Sequence, residues 1–224
     1  MPVLSLSFRR PARLLAFVGI AGALALTAPD SGEARTARID LAVSGEERMQ
    51  GDLKDLVTSF EKDQPLNGDS LALLQGAQVV EGRIRSALRS RGFYDATIEA
   101  RVDGQPIGEP ASLDAMEARP EAEPVTFAFK VETGPRYRIG DVVVRPPNSE
   151  SSLPAIDRAS LGLAPGDPAD AAAVLAAQEK LLGELRREGY ALARVGRDAV
   201  VNHATQEMTV AFTVETGPAA RMGP

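Results

Sequence analysis

Glu132-Thr133-Gly134-Pro135-Arg136-Tyr137-Arg138-Ile139-Gly140 recurs near the end of the chain as Glu215-Thr216-Gly217-Pro218-Ala219-Ala220-Arg221-Met222-Gly223, with Glu, Thr, Gly, Pro, Arg and Gly in register. A second pair of segments repeats in the same order: Leu88-Arg89-Ser90-Arg91-Gly92-Phe93-Tyr94 resembles Leu185-Arg186-Arg187-Glu188-Gly189-Tyr190. The chain is therefore a tandem repeat, and everything else is read one copy at a time. The two landmarks are offset by 97 and 83 residues, so the first copy holds 14 extra residues between them.

Each landmark sits where one hydrophobic period gives way to another. Before Gly92, Leu73, Ala77, Val80, Ile84, Ala87 and Leu88 fall at spacings of three and four; Leu175, Gln178, Leu181, Leu182 and Leu185 do so before Gly189. Both stretches predict amphipathic helices. Gly92 and Gly189 suit left-handed C-terminal caps, and Asp167 with Pro168 suits an N-cap and first turn. Gly76 and Gly82 each weaken the earlier helix by about 1 kcal/mol relative to alanine.

After the glycines the period becomes two. Tyr94, Ala96, Ile98, Ala100 and Val102 alternate with Asp95, Thr97, Glu99, Arg101 and Asp103, which predicts a strand with one buried face. Val125, Phe127, Phe129 and Val131, then Met208, Val210, Phe212 and Val214, repeat that pattern ahead of Gly134-Pro135 and Gly217-Pro218. The strand from Tyr190 to about Val201 alternates less cleanly. Upstream, Ile39, Leu41 and Val43 predict a strand and Met49, Leu53, Leu56 and Phe60 a helix, with a turn at Asn67-Gly68-Asp69; Tyr137 to Val144, then Leu153, Ile156 and Leu161, are the second-copy counterparts.

Each copy thus reads strand, helix, helix, strand, strand. That order implies an α+β fold: two tandem domains, each a three-stranded mixed sheet with two helices on one face and the other face wet. The first domain spans 36–135, with Pro106, Gly108, Pro110, Pro120 and Pro124 marking 104–124 as a long surface loop. The second spans 136–217, and 218–224 reads as the start of a truncated third unit. Gly134, Pro135, Gly140, Gly217 and Pro218, with Gly92 and Gly189, form the structural linker set: positive-φ or tight turns with stiffened exits, geometry rather than recognition. They leave the two domains almost no slack.

Residues 1–34 read as a signal peptide. Arg9, Arg10 and Arg13 precede an uncharged run from Leu14 to Ala28, too short for a membrane-spanning helix. Both Ala23-Leu24-Ala25 and Gly32-Glu33-Ala34 offer cleavage sites. Export means that the absence of cysteine leaves the protein without disulfide stabilisation. Without the leader arginines, 22 basic residues face 31 acidic ones. The basic clusters at Arg83 to Arg91 and Arg186 to Arg194 lie on helix faces among acids, so nucleic acid is excluded as a partner.

No constellation supports catalysis, a metal or a cofactor. His203, the sole histidine, falls in a predicted turn next to Asn202 and reads as solvated; there is no cysteine to join it. Asp95, Glu99 and Asp103 alternate on a wet strand face, and Glu179, Glu184 and Glu188 belong to a helix surface. Gly162 and Gly166 lack the setting of a phosphate loop. The chain reads as a non-enzymatic protein.

The leader, the tandem strand-helix-helix-strand-strand units, the Leu-Arg-x-x-Gly-(Phe/Tyr) junction and the Glu-x-Gly-Pro-x-x-x-x-Gly turn together resemble the POTRA repeats of the outer-membrane assembly-barrel superfamily. The stretch from Arg38 to Phe60, with Ser44-Gly45 between strand and helix, is similar to the first repeat of its autotransporter-assembly branch. This resemblance covers residues 36 to 223 and implies a periplasmic scaffold. Its implied partners are unfolded outer-membrane or autotransporter substrates and an inner-membrane-anchored, periplasm-spanning protein. Contact with the membrane would come only through a C-terminal barrel absent from this chain. The implied mode is β-augmentation, in which a partner strand pairs with an open sheet edge. The candidate edge residues are Tyr94, Ala96, Thr97, Ile98 and Ala100 in the first copy and Tyr190, Ala193 and Val195 in the second, with the Thr97 N–H expected on the open side. Charges on the first strand equally suit protection against aggregation. A stand-alone periplasmic adaptor of two-partner-secretion or division type, without a barrel, is the alternative.

Overall fold

The computed structural model describes residues 35–120, 123–148 and 152–219. The expected signal peptide and the last five residues of the expected third unit lie outside these. In the first unit β1 (Arg35–Ser44), α1 (Glu47–Asp63), β2 (Asn67–Gly68), α2 (Ser70–Ser90), β3 (Thr97–Val102), β4 (Gln105–Pro106), α3 (Pro110–Glu117) and β5 (Val125–Glu132) follow one another. The sheet order is β2-β1-β5-β3-β4, with β5 parallel to β1 and antiparallel to β3. The second unit has β6 (Arg138–Arg145), a 3₁₀ turn (Arg158–Leu161), α4 (Ala171–Arg187), β7 (Arg194–Asn202) and β8 (Glu207–Glu215), ordered β6-β8-β7. The expected three-stranded mixed sheet is present in both copies, since β8 is likewise parallel to β6 and antiparallel to β7.

Alternation on the central strands creates the two cores. Val125, Phe127, Phe129 and Val131 are buried while Thr126, Ala128, Lys130 and Glu132 are exposed. Against the buried set pack Leu53 and Val57 of α1 and Leu73, Ala77, Val80, Ile84 and Leu88 of α2. Met208, Val210, Phe212 and Val214 meet Val174, Ala177, Leu181 and Leu185 of α4 in the same way. Each fully buried Phe, Leu or Val contributes roughly 1.5–3 kcal/mol, so these stripes dominate the stability of each unit. Gly76 is explained by packing, because a Cβ there would collide with the Leu66 side chain.

Three features depart from expectation. The stretch 104–124 is not a long loop. Asp103 (φ 52) and Gly104 (φ 80) make a two-residue turn that returns the chain along β3, and Pro110 then opens α3. Ile107 and Met116 reach the core at 5% and 0% exposure, which supplies the driving force that a reading dominated by prolines overlooks. Second, the N-cap of α4 is Asp170, whose carboxylate accepts from the Ala172 N–H at 2.8 Å. Asp167 instead accepts from the Ala164 N–H at 2.8 Å, and residues 167–169 run beside β6, with Ile139 N–H to Asp167 O at 2.7 Å and Ala169 N–H to Tyr137 O at 2.9 Å. Pairing with the strand satisfies more backbone groups than an earlier helix start would. Asn67-Gly68 does the same beside β1, ahead of the Asp69 cap of α2. Third, the first helix of the second copy shrinks to the 3₁₀ turn.

Candidate functional site

The sheet edges and the junction between the units carry the residues singled out in the sequence. In the first unit the open side of β3 is occupied. The Ala100 carbonyl accepts from the Ile107 N–H at 3.1 Å, and Val102 and Arg101 pair with Gln105 and Pro106. Backbone groups alternate in direction along a strand, so those of Ile98, Ala100 and Val102 face β4 and those of Thr97, Glu99 and Arg101 face β5. The expectation that Thr97 offers an open N–H is therefore corrected: its backbone belongs to the internal ladder, opposite Glu132. Pro106 lies at a non-hydrogen-bonded position of the hairpin, where its missing N–H costs nothing.

The second unit differs. Its β7 pairs only with β8 over nine residues, and only Val195 and Val201 among them are partly buried. The connection to β8 is the short turn His203–Gln206, and among the described residues no strand pairs with the other edge of β7. The Val195 carbonyl accepts from Gln178 Nε2 at 2.6 Å, and Arg197 Nη1 donates to Gln178 Oε1 at 2.5 Å. Val195 thus points its backbone outward, as by alternation do Arg197, Ala199 and Val201. Past the Gln178 screen, Arg197 to Val201 presents unpaired peptide groups, with Val200 beside them 68% exposed.

Tyr94, Ala96, Tyr190 and Ala193 precede the strands and are not edge residues in this structure. Tyr94 belongs to the junction. Its ring meets Tyr137 edge-on at 5.3 Å between centroids, and its hydroxyl lies 3.3 Å from Met208 Sδ of the second unit. Burial raises the Tyr94 pKa, partly opposed by Arg89. Tyr137, at 0% exposure, donates its hydroxyl to Asp95 Oδ2 at 2.6 Å, and His203 Nδ1 lies 2.7 Å from Asp95 Oδ1 and 3.0 Å from the Tyr137 oxygen. The Tyr137 bond, then that of His203, holds Asp95 below the usual carboxylate value, while desolvation and Asp95 push Tyr137 up to about 12. Asp95 and His203 are exposed, as a wet-face carboxylate and a solvated turn residue should be, and they also bridge the units, which the sequence reading missed.

The linker Thr133–Tyr137 between β5 and β6 is fastened residue by residue. Thr133 N–H donates to Ser44 O at 3.1 Å, Arg136 Nε to Arg91 O at 2.9 Å and Tyr137 N–H to Gly92 O at 2.8 Å. Gly134 has φ 66 and Gly92 has φ 90; a Cβ on Gly92 would stand 2.9 Å from the Ala169 carbonyl. Gly140 is the extra residue of a bulge between Ile139 and Asp141, packed on Glu207. Around a cavity of about 160 Å³, Arg91 pairs with Asp52 (3.1 Å) and Asp170 (3.3 Å), and Arg136 with Asp170 (3.5 Å) and Glu46 (3.8 Å). Partly exposed pairs like these are worth about 0–1 kcal/mol each, so the buried Tyr137, Phe93 and backbone bonds do most of the joining. Arg136 and Arg138 are accordingly structural, Arg138 donating to Gly166 O at 2.9 Å.

In the second copy the equivalent surface is exposed. Leu192 stands where Asp95 stands in the first and is 69% accessible, beside Gly217 (φ 66) and Pro218. Among the described residues no helix is long and apolar enough to cross a membrane, and no group of three His, Cys, Asp or Glu residues could hold a metal ion.

Residues 137–217 match the POTRA family model, described as "Surface antigen variable number repeat". The match covers 81 of the 224 residues. It coincides with the second unit, from the buried Tyr137 to the Gly217 turn. The sequence matches no curated protein. Among solved structures it is similar to BamA POTRA3-5 of Haemophilus influenzae, at 14% identity over 86% of this chain and 70% of that one, with a TM-score of 0.42. It is also similar to POTRA1-3 of the periplasmic domain of Omp85 from Anabaena (14% identity, 83% of this chain and 62% of that one, TM-score 0.44). CdiB from Escherichia coli is matched at 16% identity over 84% of this chain, with a TM-score of 0.37, and the chain spans 28% of its length.

Proposed function

We propose that this chain is a non-enzymatic periplasmic scaffold of an outer-membrane protein or autotransporter assembly and secretion machine, in which the β7 edge holds extended segments of partner proteins by β-augmentation. The single observation that carries this reading is the contrast between an open, nine-residue β7 and a β3 already paired on both sides. Peptide groups supply affinity without demanding a particular sequence, which suits unfolded outer-membrane substrates; an inner-membrane-anchored partner is served by the same edge. Within the superfamily we place the chain nearest the TamA type, supported by the order of β1, Ser44-Gly45, α1 and the Gly92-Phe93-Tyr94-Asp95 junction.

The test is Ala199→Pro, which removes an outward N–H and leaves the ladder to β8 intact. With a urea-unfolded outer-membrane β-barrel protein as probe and a photo-crosslinker at Val200, the crosslinking yield is expected to fall several-fold while far-UV ellipticity is unchanged. An equal yield from the folded variant removes β7 from consideration.

A further inference from the structure

Two copies of one fold place the same strand at the sheet edge and treat it in opposite ways. In the second unit β7 turns into β8 through His203–Gln206 and its outer side stays bare. In the first unit, β3 is separated from β5 by an insertion that travels back along its outer side. Asp103 and Gly104 take φ 52 and 80 to make the reversal, Gln105 and Pro106 pair with Val102 and Arg101, and the Ile107 N–H reaches Ala100 O at 3.1 Å. This is the position an added partner strand would take.

The insertion is also locked down. Ile107 and Met116 are 5% and 0% exposed in the first core. Arg119 pairs with Asp103 at 2.6 Å, tying the insertion's two ends together. Arg35, at the start of β1 and only 9% exposed, donates to Met116 O at 2.5 Å, to Arg119 O at 3.0 Å and to Ser70 Oγ at 3.1 Å. A guanidinium on the Met116 carbonyl in the last turn of α3, and on that of Arg119 just beyond it, complements the helix dipole. On the outward side of β3 the insertion matches the Ala100 carbonyl and pairs with Val102, and leaves Ile98 open.

We propose that β4 and α3 are a resident, intramolecular occupant of the first unit's partner edge, so that the chain has two equivalent augmentation edges but takes up one partner strand, at β7. The proposal rests on the edge-docking reading above and adds stoichiometry to it. It also explains why the insertion has a two-residue strand: two residues and one further bond cover the last two outward positions of β3, and Gly108 and Pro110 then release the chain into the helix that anchors it.

The experiment replaces residues 105–124 with the His203–Gln206 turn, which preserves the register in which Val102 faces Phe127. The probe is a fluorescein-labelled peptide of the Val125–Glu132 sequence, which alternates as an amphipathic strand, titrated by anisotropy into the full chain, the turn-graft variant and each of them carrying Ala199→Pro. One site on the full chain and two on the graft, with Ala199→Pro removing one from each, is the expected result. One site on the graft, lost with Ala199→Pro, overturns the inference and leaves the β7 reading standing. No site on the full chain with one on the graft that survives Ala199→Pro overturns the β7 reading and keeps β4 and α3 as the occupant of β3. Because the graft removes Ile107 and Met116 from the core, Arg35→Ala serves as a second variant with the core intact. Loosening the latch is expected to speed hydrogen exchange at the amides of Ile107 and Val102, where the insertion joins β3, on the order of tenfold, as loss of charged hydrogen bonds does, relative to those of Glu99 and Arg101. Equal exchange at both sets also overturns the inference.

Discussion

Gly92 and Gly166 have nearly the same backbone conformation, φ 90 and φ 91, but only one touches the other unit. A Cβ on Gly166 meets nothing within 4 Å, whereas one on Gly92 falls 2.9 Å from the backbone oxygen of Ala169. Gly166→Ala therefore reports the conformational cost alone, roughly 1–2 kcal/mol for an L-residue at positive φ. Gly92→Ala adds an overpacked contact against a carbonyl that cannot rotate away, because Ala169 is itself bonded to Tyr137; that contact costs a further 1–3 kcal/mol, roughly. The expected destabilisations are about 1–2 kcal/mol for Gly166→Ala and about 2–5 kcal/mol for Gly92→Ala. The chain has three tyrosines and no tryptophan, and Tyr94 and Tyr137 both sit at the junction, so tyrosine fluorescence and near-UV ellipticity read the contact directly. Urea unfolding followed by far-UV ellipticity supplies the free energies. A difference between the variants below about 0.5 kcal/mol, with unchanged tyrosine signals, refutes the argument that the units are joined by close backbone packing at Gly92.

The remaining expectations concern charge and the core. Asp95 is depressed below its unfolded value of 3.8 by Tyr137 and His203, so the stability it confers is complete above that pH and disappears as pH falls through the folded value. Urea midpoints from pH 5 to 2 should fall less steeply in Asp95→Asn than in the parent. Tyr137 is shifted the other way, from 10.0 to about 12, so its contribution is complete below pH 10 and is lost as pH rises to 12. Absorbance at 295 nm should show one late-titrating tyrosine that Asp95→Asn moves toward, but not to, the normal value, since burial remains. Phe212, at 0% exposure in the second core, should cost about 3–5 kcal/mol on truncation to alanine in a urea melt.

Periodicity carried most of the fold. The alternation of Val125 to Val131 and of Met208 to Val214 determined which faces are buried, because a strand's side chains have only two directions to take. The offset between the two repeated motifs located the insertion, and positive φ at Gly92, Gly134, Gly189 and Gly217 followed from their places at turns. What a one-dimensional pattern does not contain is which side of a strand is already paired. Thr97 and Ile98 are neighbours in sequence with opposite backbone directions, and only the return of Gln105 and Ile107 along β3 distinguishes them. The junction was hidden for a related reason. Asp95 fits a polar alternation that continues into β3, and its partners lie 42 and 108 residues away on the other copy. Neither local propensity nor charge pattern links them.

The two copies act as an internal comparison of how one fold distributes rigidity and availability. The first unit has a full helix, α1, a closed β3 edge and a C-terminal face sealed against its neighbour by Tyr94, Asp95 and Gly92. The second has a 3₁₀ turn in place of that helix, a bare β7 and an exposed Leu192 where the first has Asp95. An edge strand left long and unpaired is an aggregation hazard unless something justifies it, and the insertion in the first copy shows that this fold can close the same edge with about 14 additional residues. That β7 stays open despite so short a remedy, screened only at Val195 by Gln178, is the reason to look for a partner strand there. Rigid fastening of the linker then has a mechanical consequence for such a partner. Because β7 ends at Asn202 and the next residue, His203, is bonded to Asp95, a strand added to β7 is held at a fixed orientation to the first unit.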